Sequence, residues 1–267
     1  MNDFSLKNKV AIVTGGCGLL GKQHSLALSE AGANVVVIDI DIIEAISASE
    51  NLDTVSVGFG CDITDREQVV HVREKILDYF GRIDILVNNA AINDMVECPA
   101  AEIDLLRFEN YPVDLWNRSI AVNLTGTFNC SQIFGSYMAE NSGGSIINIA
   151  STYGIVAPDQ SIYMREDGSQ FYYKPPAYSA TKGAIISFTK YLAAYWGKNN
   201  VRVNSLSPGG VENMQDKAFI DNYSKRTPLG RMANQEEYKG ALVYLASNAS
   251  SYMTGANLVV DGGWTCW

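Results

Sequence analysis

Residues 9–21 read Lys9-Val-Ala-Ile-Val-Thr-Gly-Gly-Cys-Gly-Leu-Leu-Gly21. The first six residues form a short apolar run, which predicts a buried β-strand. Gly16, Gly18 and Gly21 then give the pattern G-x-G-x-x-G, and a helical apolar pattern continues to Gly32. Glycines let the backbone approach a pyrophosphate at a helix N-terminus, so this strand, turn and helix predict a dinucleotide site.

A second apolar run, Asn34-Val-Val-Val-Ile-Asp39, ends in an acid. Asp39 follows the glycine turn by about 20 residues, where an acid accepts hydrogen bonds from the adenosine ribose hydroxyls. Its charge would repel a 2′-phosphate, and residues 16–50 contain no arginine that could bind one. We therefore predict NAD, and not NADP, as the cofactor.

The stretch Tyr178-Ser-Ala-Thr-Lys182 places a tyrosine and a lysine on one face of a predicted helix. An ammonium close to a phenol favours the phenolate, so we expect the pKa of Tyr178 to fall from its usual value of about 10. Such a tyrosine can give or take a proton at a carbonyl or alcohol oxygen. The same spacing also occurs in tyrosines packed beside a solvated lysine, so the prediction depends on the rest of the chain.

Further motifs follow the glycine turn in order. They are Asp62-Ile-Thr64, Asn88-Asn-Ala-Ala91, Asn123-Leu-Thr-Gly126, Ser151, Tyr178 with Lys182, Pro208-Gly209 and Val260-Asp-Gly-Gly263. Together they resemble the short-chain dehydrogenase/reductase family over nearly the whole chain. Strand-like and helical patterns also alternate without a linker, which predicts one α/β domain over residues 1–267. We expect a Rossmann-type, doubly wound parallel sheet of about seven strands, with helices on both faces.

The resemblance implies a role for four residues. Tyr178 would be the general acid/base on the substrate oxygen, and Ser151 would hydrogen-bond that oxygen. Lys182 would lower the pKa of Tyr178 and bind the nicotinamide ribose. Asn123 would hold a water that links Lys182 to solvent. The cofactor-binding residues that it implies are Gly15, Gly18, Leu20, Gly21, Asp39, Asp62, Ile63, Asn89, Ala90, Ala91, Tyr178, Lys182, Pro208, Gly209 and Val211.

Two stretches are longer than in the resembled family, at residues 93–113 and 158–176. Asp167-Gly168 predicts a hairpin turn in the second insert. Both inserts leave the carboxyl ends of strands, where ligands bind, so they predict a large or polar substrate. An oligomer contact or a surface loop is the alternative. The candidate substrate contacts are Asp94, Glu97, Arg165, Tyr172 and Tyr173, with Arg226 for an anionic group and Asn213 for the cofactor amide.

The formal net charge of −9 disfavours nucleic acid and anionic membranes as partners. No apolar run reaches membrane-spanning length, and the first predicted strand leaves no room for a signal peptide. Five scattered cysteines and two histidines on separate predicted helices fit a reducing cytoplasm and predict no metal site. The resemblance implies a homotetramer built on the helices around 114–140 and 177–197. The C-terminal end, Trp264-Thr-Cys-Trp267, is expected to pack in an interface or over the site.

The leading hypothesis is an NAD-dependent oxidoreductase that acts on a secondary alcohol or ketone. The chain looks most like bacterial oxidoreductases associated with surface sugars, including flagellin-modification proteins, which suggests a sugar or activated sugar in carbohydrate biosynthesis. Thr14-Gly-x-x-Gly18-x-x-Gly21 instead resembles a larger sugar-nucleotide-modifying branch. A sugar epimerase or dehydratase that retains its NAD therefore stays open. A non-enzymatic module that senses NAD(H) is the third hypothesis.

Overall fold

The computed structural model describes residues 3–93 and 103–267. Its centre is a parallel sheet of seven strands in the order β3-β2-β1-β4-β5-β6-β7. Val13 of β1 pairs with Val37 of β2 on one side and with Val87 of β4 on the other. The strands are β1 (Val10–Thr14), β2 (Asn34–Asp39), β3 (Val57–Gly60), β4 (Ile85–Asn88), β5 (Gly144–Ile149), β6 (Val201–Pro208) and β7 (Asn257–Val260). This order confirms the predicted doubly wound fold.

Helices cover both faces of the sheet. They are α1 (Leu19–Glu30), α2 (Ile42–Glu50), α3 (Arg66–Phe80), α4 (Val113–Ser119), α5 (Thr127–Glu140), α6 (Pro176–Trp196), α7 (Lys217–Arg226) and α8 (Lys239–Ala246). Alternate residues of β1 divide between two apolar cores, because successive strand side chains point to opposite faces. Ile12 packs in the core that contains Phe134 of α5. Val13 packs in the core that contains Leu242 of α8.

The helix predicted over 114–140 has a different local form. A π-helical turn, Ile120–Gly126, joins α4 to α5. A Cβ added to Gly126 would lie 2.5 Å from Ile63 Cδ1, so the glycine allows a close approach of this turn to the loop after β3. The predicted helix over 235–247 likewise begins with a 3₁₀ turn, Gln235–Tyr238, and continues as α8. Two helices, α2 and α7, were not predicted.

The insert 158–176 forms a compact wall. Arg165 and Ser169 close a turn at Asp167-Gly168, and Met164 pairs with Gln170 as a single antiparallel bridge. The predicted hairpin turn is confirmed, although it carries no extended strands. The insert packs in a third apolar cluster, which we call the aromatic cluster and which also includes α7 and the C-terminal end. Its buried members are Leu106, Ile162, Tyr163, Tyr172, Phe219, Tyr223, Met232 and Trp264.

Only part of the other insert, 93–113, can be described. Within it, two short 3₁₀ turns lie at Ile103–Leu106 and Phe108–Asn110. Asp94 and Glu97 lie outside the described residues. Among the helices of the described part of the chain, none is long and apolar enough to cross a membrane.

Candidate active site

A cleft of about 1090 Å³ runs along the carboxyl ends of β1, β2, β3 and β4. Ligands of open α/β sheets bind at this edge. Ten residues predicted to bind the cofactor line the cleft together: Gly15, Gly18, Leu20, Gly21, Asp39, Asp62, Ile63, Asn89, Ala90 and Ala91. The structure therefore gathers residues from four separate loops into one continuous surface.

The glycine turn leaves room for a charged ligand. A Cβ at Gly21 would lie 2.1 Å from the carbonyl oxygen of Gly15, which has a φ of +60°. Side chains are thus excluded inside the turn. Gly18 precedes α1 with no side chain capping the helix, and the first turn of α1 carries no acid. The backbone N–H groups and the positive end of the helix dipole suit a pyrophosphate there.

Asn89 and Thr14 hold the glycine turn against β4. Asn89 Nδ2 donates to the carbonyl oxygens of Thr14 and Gly15 at 3.0 and 2.9 Å. Thr14 Oγ1 accepts the N–H groups of Asn89 and Ala90, each at 3.1 Å. Asn89 therefore shapes the cleft through the turn as well as lining it.

Asp39 brings a negative charge to the end of β2 that borders the cleft. Its carboxylate accepts the backbone N–H of Cys17 at 2.9 Å and that of Ile40 at 2.8 Å. Burial, with Asp39 as the next cause, raises the pKa of the Cys17 thiol to about 12. Arg118, which is far from Asp39 in sequence, lies in the described part of the cleft lining. The helix that follows Asp39, α2, contains no arginine.

A second cavity, of about 280 Å³, adjoins the cleft, and Leu20, Asn89 and Ala91 line both spaces. Six further predicted residues line it: Ser151, Tyr178, Lys182, Pro208, Gly209 and Val211. Asn213, which was predicted near the cofactor amide, lies in the same lining. We call this space the catalytic cavity.

Tyr178 and Ser151 both line the catalytic cavity, and their side chains lie within hydrogen-bonding reach of each other. Burial raises the pKa of the Tyr178 phenol, and a hydrogen bond with the Ser151 side chain acts in the opposite direction. The predicted fall in the pKa of Tyr178 is therefore wrong for this arrangement. Lys182 does not offset the burial, because its Nζ donates to the carbonyl oxygen of Ile149 at 2.7 Å and lies 5.7 Å from the Tyr178 ring centroid. Burial lowers the pKa of Lys182 itself to about 8.

Comparison with known proteins finds relatives that match almost the whole chain. A family model described as Enoyl-(Acyl carrier protein) reductase matches residues 19–265. A D-threitol dehydrogenase from Mycolicibacterium smegmatis is 36% identical over 271 residues, covering 98% of this chain and 95% of that protein. A crystal structure of a short-chain type dehydrogenase/reductase from Mycobacterium marinum matches with a TM-score of 0.85 and 30% identity, covering 99% of this chain and 98% of the other. The chain belongs to the short-chain dehydrogenase/reductase family.

Other members of the family differ in their cofactors. An NAD-dependent glycerol dehydrogenase from Listeria innocua is 33% identical to this chain, covering 98% of it and 96% of that protein. The crystal structure of a gluconate 5-dehydrogenase from Burkholderia cenocepacia, in complex with NADP and tartrate, matches with a TM-score of 0.86 and 31% identity. That match covers 100% of this chain and 98% of the other. The dehydrogenases and reductases among its relatives identify this chain as an oxidoreductase acting on CH–OH groups.

In this short-chain dehydrogenase/reductase, Asn123 joins two elements beside the catalytic cavity. It lies on the π-helical turn, and its side chain is buried. Asn123 Oδ1 accepts the N–H of Ile92 at 2.8 Å. Its Nδ2 lies 3.2 Å from both the carbonyl oxygen of Ile92 and Thr181 Oγ1. The side chain thus ties the loop after β4 to α6, and the water-holding role implied by the resemblance stays a prediction.

Lys174 is a site residue that the sequence did not reveal. It lies near the end of the insert, lines the catalytic cavity and is only 6% exposed. Its Nζ donates to Asn93 Oδ1 at 2.7 Å and lies 4.0 Å from the Tyr178 ring centroid. The spacing could have indicated this residue, because Lys174 precedes Tyr178 by four residues, the same separation by which Lys182 follows it.

Most of the residues predicted to contact the substrate instead make contacts that hold the insert in place. Arg165 pairs with Asp216 at 3.6 Å and covers the Phe171 ring. Tyr172 packs in the aromatic cluster. Arg226 pairs with Asp159, joining α7 to the insert. Arg165, Tyr172, Tyr173 and Arg226 do not line the catalytic cavity, whereas Tyr153, Tyr163, Phe219, Tyr223 and Met232 do.

Proposed function

We propose that this protein is an NAD-dependent oxidoreductase that interconverts a secondary alcohol and a ketone on a polyol or sugar, with Tyr178 as the general acid/base. One observation carries the proposal. Tyr178, Ser151 and Lys182 meet in a cavity that opens onto the dinucleotide cleft. A proton donor, a group that positions the oxygen and an adjoining cofactor site are what this reaction requires of the protein.

The residues of the cleft fit a nicotinamide dinucleotide. The uncapped start of α1 and the glycine turn suit its pyrophosphate, and Asp39 suits the ribose hydroxyls. When bound, the cofactor would supply hydride transfer at the substrate carbon. Tyr178 would take the hydroxyl proton during oxidation and return it during reduction, and Ser151 would orient the oxygen.

NAD is the cofactor that the charges favour. Asp39 has its carboxylate fixed by two backbone N–H groups at the cleft. A 2′-phosphate at this place would add negative charge next to an acid, and the repulsion between the two disfavours NADP. The NAD-dependent glycerol dehydrogenase shows that related proteins use NAD, and the NADP complex shows that the family alone does not decide.

The shape of the catalytic cavity supports a small polyhydroxylated substrate. Its volume is about 280 Å³, and its lining includes Tyr153, Tyr163, Tyr178 and Tyr223. Tyrosine rings offer a flat apolar face to a ligand. The D-threitol and glycerol dehydrogenases among the relatives support a polyol. An activated sugar, a place in surface-sugar biosynthesis and a cytoplasmic location remain predictions from the sequence.

We also propose that the protein is a homotetramer that buries the faces of α5 and α6. Phe128, Phe188, Tyr191 and Tyr195 form a continuous aromatic row along these helices. Tyr191 is 62% exposed and Tyr195 is 65% exposed. Exposed apolar surface that is contiguous favours association, because burial removes it from water.

The test follows the absorbance of reduced nicotinamide with purified protein. The panel contains tetritols, pentitols, aldonates, sugar phosphates and nucleotide sugars, each with NAD and with NADP. We expect NADH to form with a polyol or sugar, and Tyr178→Phe to lower the rate on the order of 10²- to 10⁴-fold. Tyr79→Phe is the matched control, because Tyr79 is 61% exposed on α3.

The same assay separates the other hypotheses. An epimerase or dehydratase would convert a nucleotide sugar without NADH accumulating in solution. An NAD(H) sensor would bind the cofactor, and Tyr178→Phe would leave its function in cells unchanged. Full activity of Tyr178→Phe on a redox substrate would contradict the proposed role of the tyrosine.

A further inference from the structure

Tyr178 lies in surroundings that work against its ionisation. Burial disfavours the charged phenolate, and this effect raises the pKa of Tyr178. Lys182, the lysine on its own helix, directs Nζ to the carbonyl oxygen of Ile149 instead of to the phenol. A proton acceptor in this position needs positive charge close by.

Lys174 supplies such a charge from the insert. Its Nζ lies 4.0 Å from the Tyr178 ring centroid, whereas Lys182 Nζ lies 5.7 Å from it. An ammonium over an aromatic face is attracted by the ring, and more strongly when both groups are out of water. Lys174 is 6% exposed, so solvent screens this contact little. The attraction grows when the ring carries the negative charge of a phenolate.

The insert holds Lys174 at this place through its backbone. Gln160 Oε1 accepts the Lys174 N–H at 2.9 Å, and Gln160 Nε2 donates to the Lys174 carbonyl oxygen at 3.1 Å. Pro175 and Pro176 follow directly, and Pro176 starts α6. Because proline fixes φ, the path from Lys174 into the helix that carries Tyr178 has little freedom. The ammonium is then oriented by Asn93 Oδ1 at 2.7 Å.

We propose that Lys174 is a positioning residue that stabilises the phenolate of Tyr178 from the face of the ring, so that the insert contributes directly to proton transfer. This inference rests on the proposed role of Tyr178 as the general acid/base. In the described residues, the charged and titratable groups that face Tyr178 are Lys182 on α6, Lys174 and Tyr163 in the insert, and Tyr153 after β5. Burial raises the pKa of Tyr153 and Tyr163 above the usual range, so both stay neutral.

The first measurement needs no substrate. Protein labelled with ¹³C at the tyrosine ζ carbon is titrated by NMR, and loss of one signal in Tyr178→Phe assigns that residue among the 14 tyrosines. We expect Lys174→Met to raise the ionisation midpoint of Tyr178 by about one pH unit. Lys174→Arg keeps the positive charge and should stay near wild type. Lys190→Met, an exposed lysine on α6, is the matched control and should shift nothing.

The second measurement is the pH profile of kcat/KM for alcohol oxidation. Lys174→Met should move the rising limb to higher pH by the same interval, which lowers the rate about tenfold at a fixed pH on that limb. Lys174→Gln keeps a donor for Asn93 without the charge, so it replaces Lys174→Met if that variant fails to fold.

Two results would overturn the inference. One is an unchanged midpoint for Tyr178 in the folded, uncharged variants. The other is a raised KM with an unmoved pH profile, which would make Lys174 a substrate-binding group. Full activity of Tyr178→Phe would instead remove the proposed function, while the NMR titration would still report the effect of Lys174 on the phenol.

Discussion

The carboxylate of Asp39 accepts the backbone N–H of Cys17 in the glycine turn at 2.9 Å. The end of β2 and the turn after β1 are therefore joined by the same group that would meet the adenosine ribose. One side chain both shapes the cleft and sets its charge. A substitution that keeps the acceptor and removes the charge can separate these two effects.

Asp39→Asn makes this separation. The amide oxygen can still accept the N–H of Cys17, but the repulsion of a 2′-phosphate is lost. We expect the ratio of kcat/KM for NADP over NAD to rise at least about tenfold, which corresponds to about 1.4 kcal/mol. Asp53→Asn makes the same change of side chain at an exposed position and is the control. A wild-type protein that already prefers NADP would contradict the argument from Asp39.

Trp264→Ala tests the wall around the catalytic cavity. Trp264 is 4% exposed and stacks on Tyr223, with ring centroids 4.0 Å apart. Tyr223 Oη in turn accepts the N–H of Gly210 at 2.6 Å, in the loop after β6. We expect Trp264→Ala to lower the free energy of unfolding by about 3–5 kcal/mol in urea denaturation.

Trp267 provides the matched control for this experiment. It is 75% exposed and lies three residues further along the chain. Trp267→Ala should change the free energy of unfolding by less than about 0.5 kcal/mol. An equally small effect of Trp264→Ala would show that the aromatic cluster does not stabilise the fold.

His24 should make stability depend on pH. It is fully buried on α1, and burial lowers its pKa from 6.5 to about 4. Between these values the unfolded chain binds more protons than the folded one, so stability is present above pH 6.5 and is lost as the pH falls. We expect the titration of His24 to lower the free energy of unfolding by about 2 kcal/mol between pH 7 and pH 5.

The measurement is urea denaturation at both pH values. His24→Gln should reduce the difference between them by that amount, since the titrating group is gone. His71→Gln removes the other histidine, which is exposed on α3, and should leave the difference unchanged. An unaltered pH dependence in His24→Gln would show that His24 does not cause the loss of stability at low pH.

Tyr191→Glu tests the proposed assembly. The substitution puts a charge into the aromatic row between Phe188 and Tyr195, where stacked rings lie 6.5 and 6.0 Å from Tyr191. Burying that charge in an interface is costly, so we expect smaller species by light scattering after size exclusion. Tyr79→Glu, on an exposed ring of α3, should leave the oligomeric state of the wild type unchanged. A monomeric wild type would contradict the proposal.

The sequence predicted the strands better than some of the helices. β2 has the predicted bounds, Asn34–Asp39, because a continuous apolar run can only be a buried strand or a short buried helix. The π-helical turn at Ile120–Gly126 was not visible, since periodicity does not distinguish one extra residue per turn. α2 was missed because the residues that it buries, Ala45 and Ser49, are small, whereas Ile42 and Ile43 are 53% and 76% exposed, so its apolar pattern does not mark the buried face.

The residues of the candidate site were also predicted only in part. Residues on short motifs, such as Gly18 and Ser151, line the predicted spaces because each motif includes its own strand end. Lys174 was missed because its role depends on how the insert folds back over Tyr178. Arg226 and Arg165 were assigned to substrate, but each is drawn into an ion pair that fastens the insert to α7 or the segment before it. Charge and position alone could not distinguish a ligand contact from such a pair.

The aromatic cluster has a consequence for protein engineering. It unites the insert, α7 and the chain end, three segments that are remote in sequence. A graft of residues 158–176 onto a shorter homologue would thus bring Tyr163 without Phe219, which stacks on it, and without Trp264. Such a chimera would expose large rings to water and misplace Lys174. The transferable unit is therefore the insert together with α7 and the C-terminal end, exchanged as one piece.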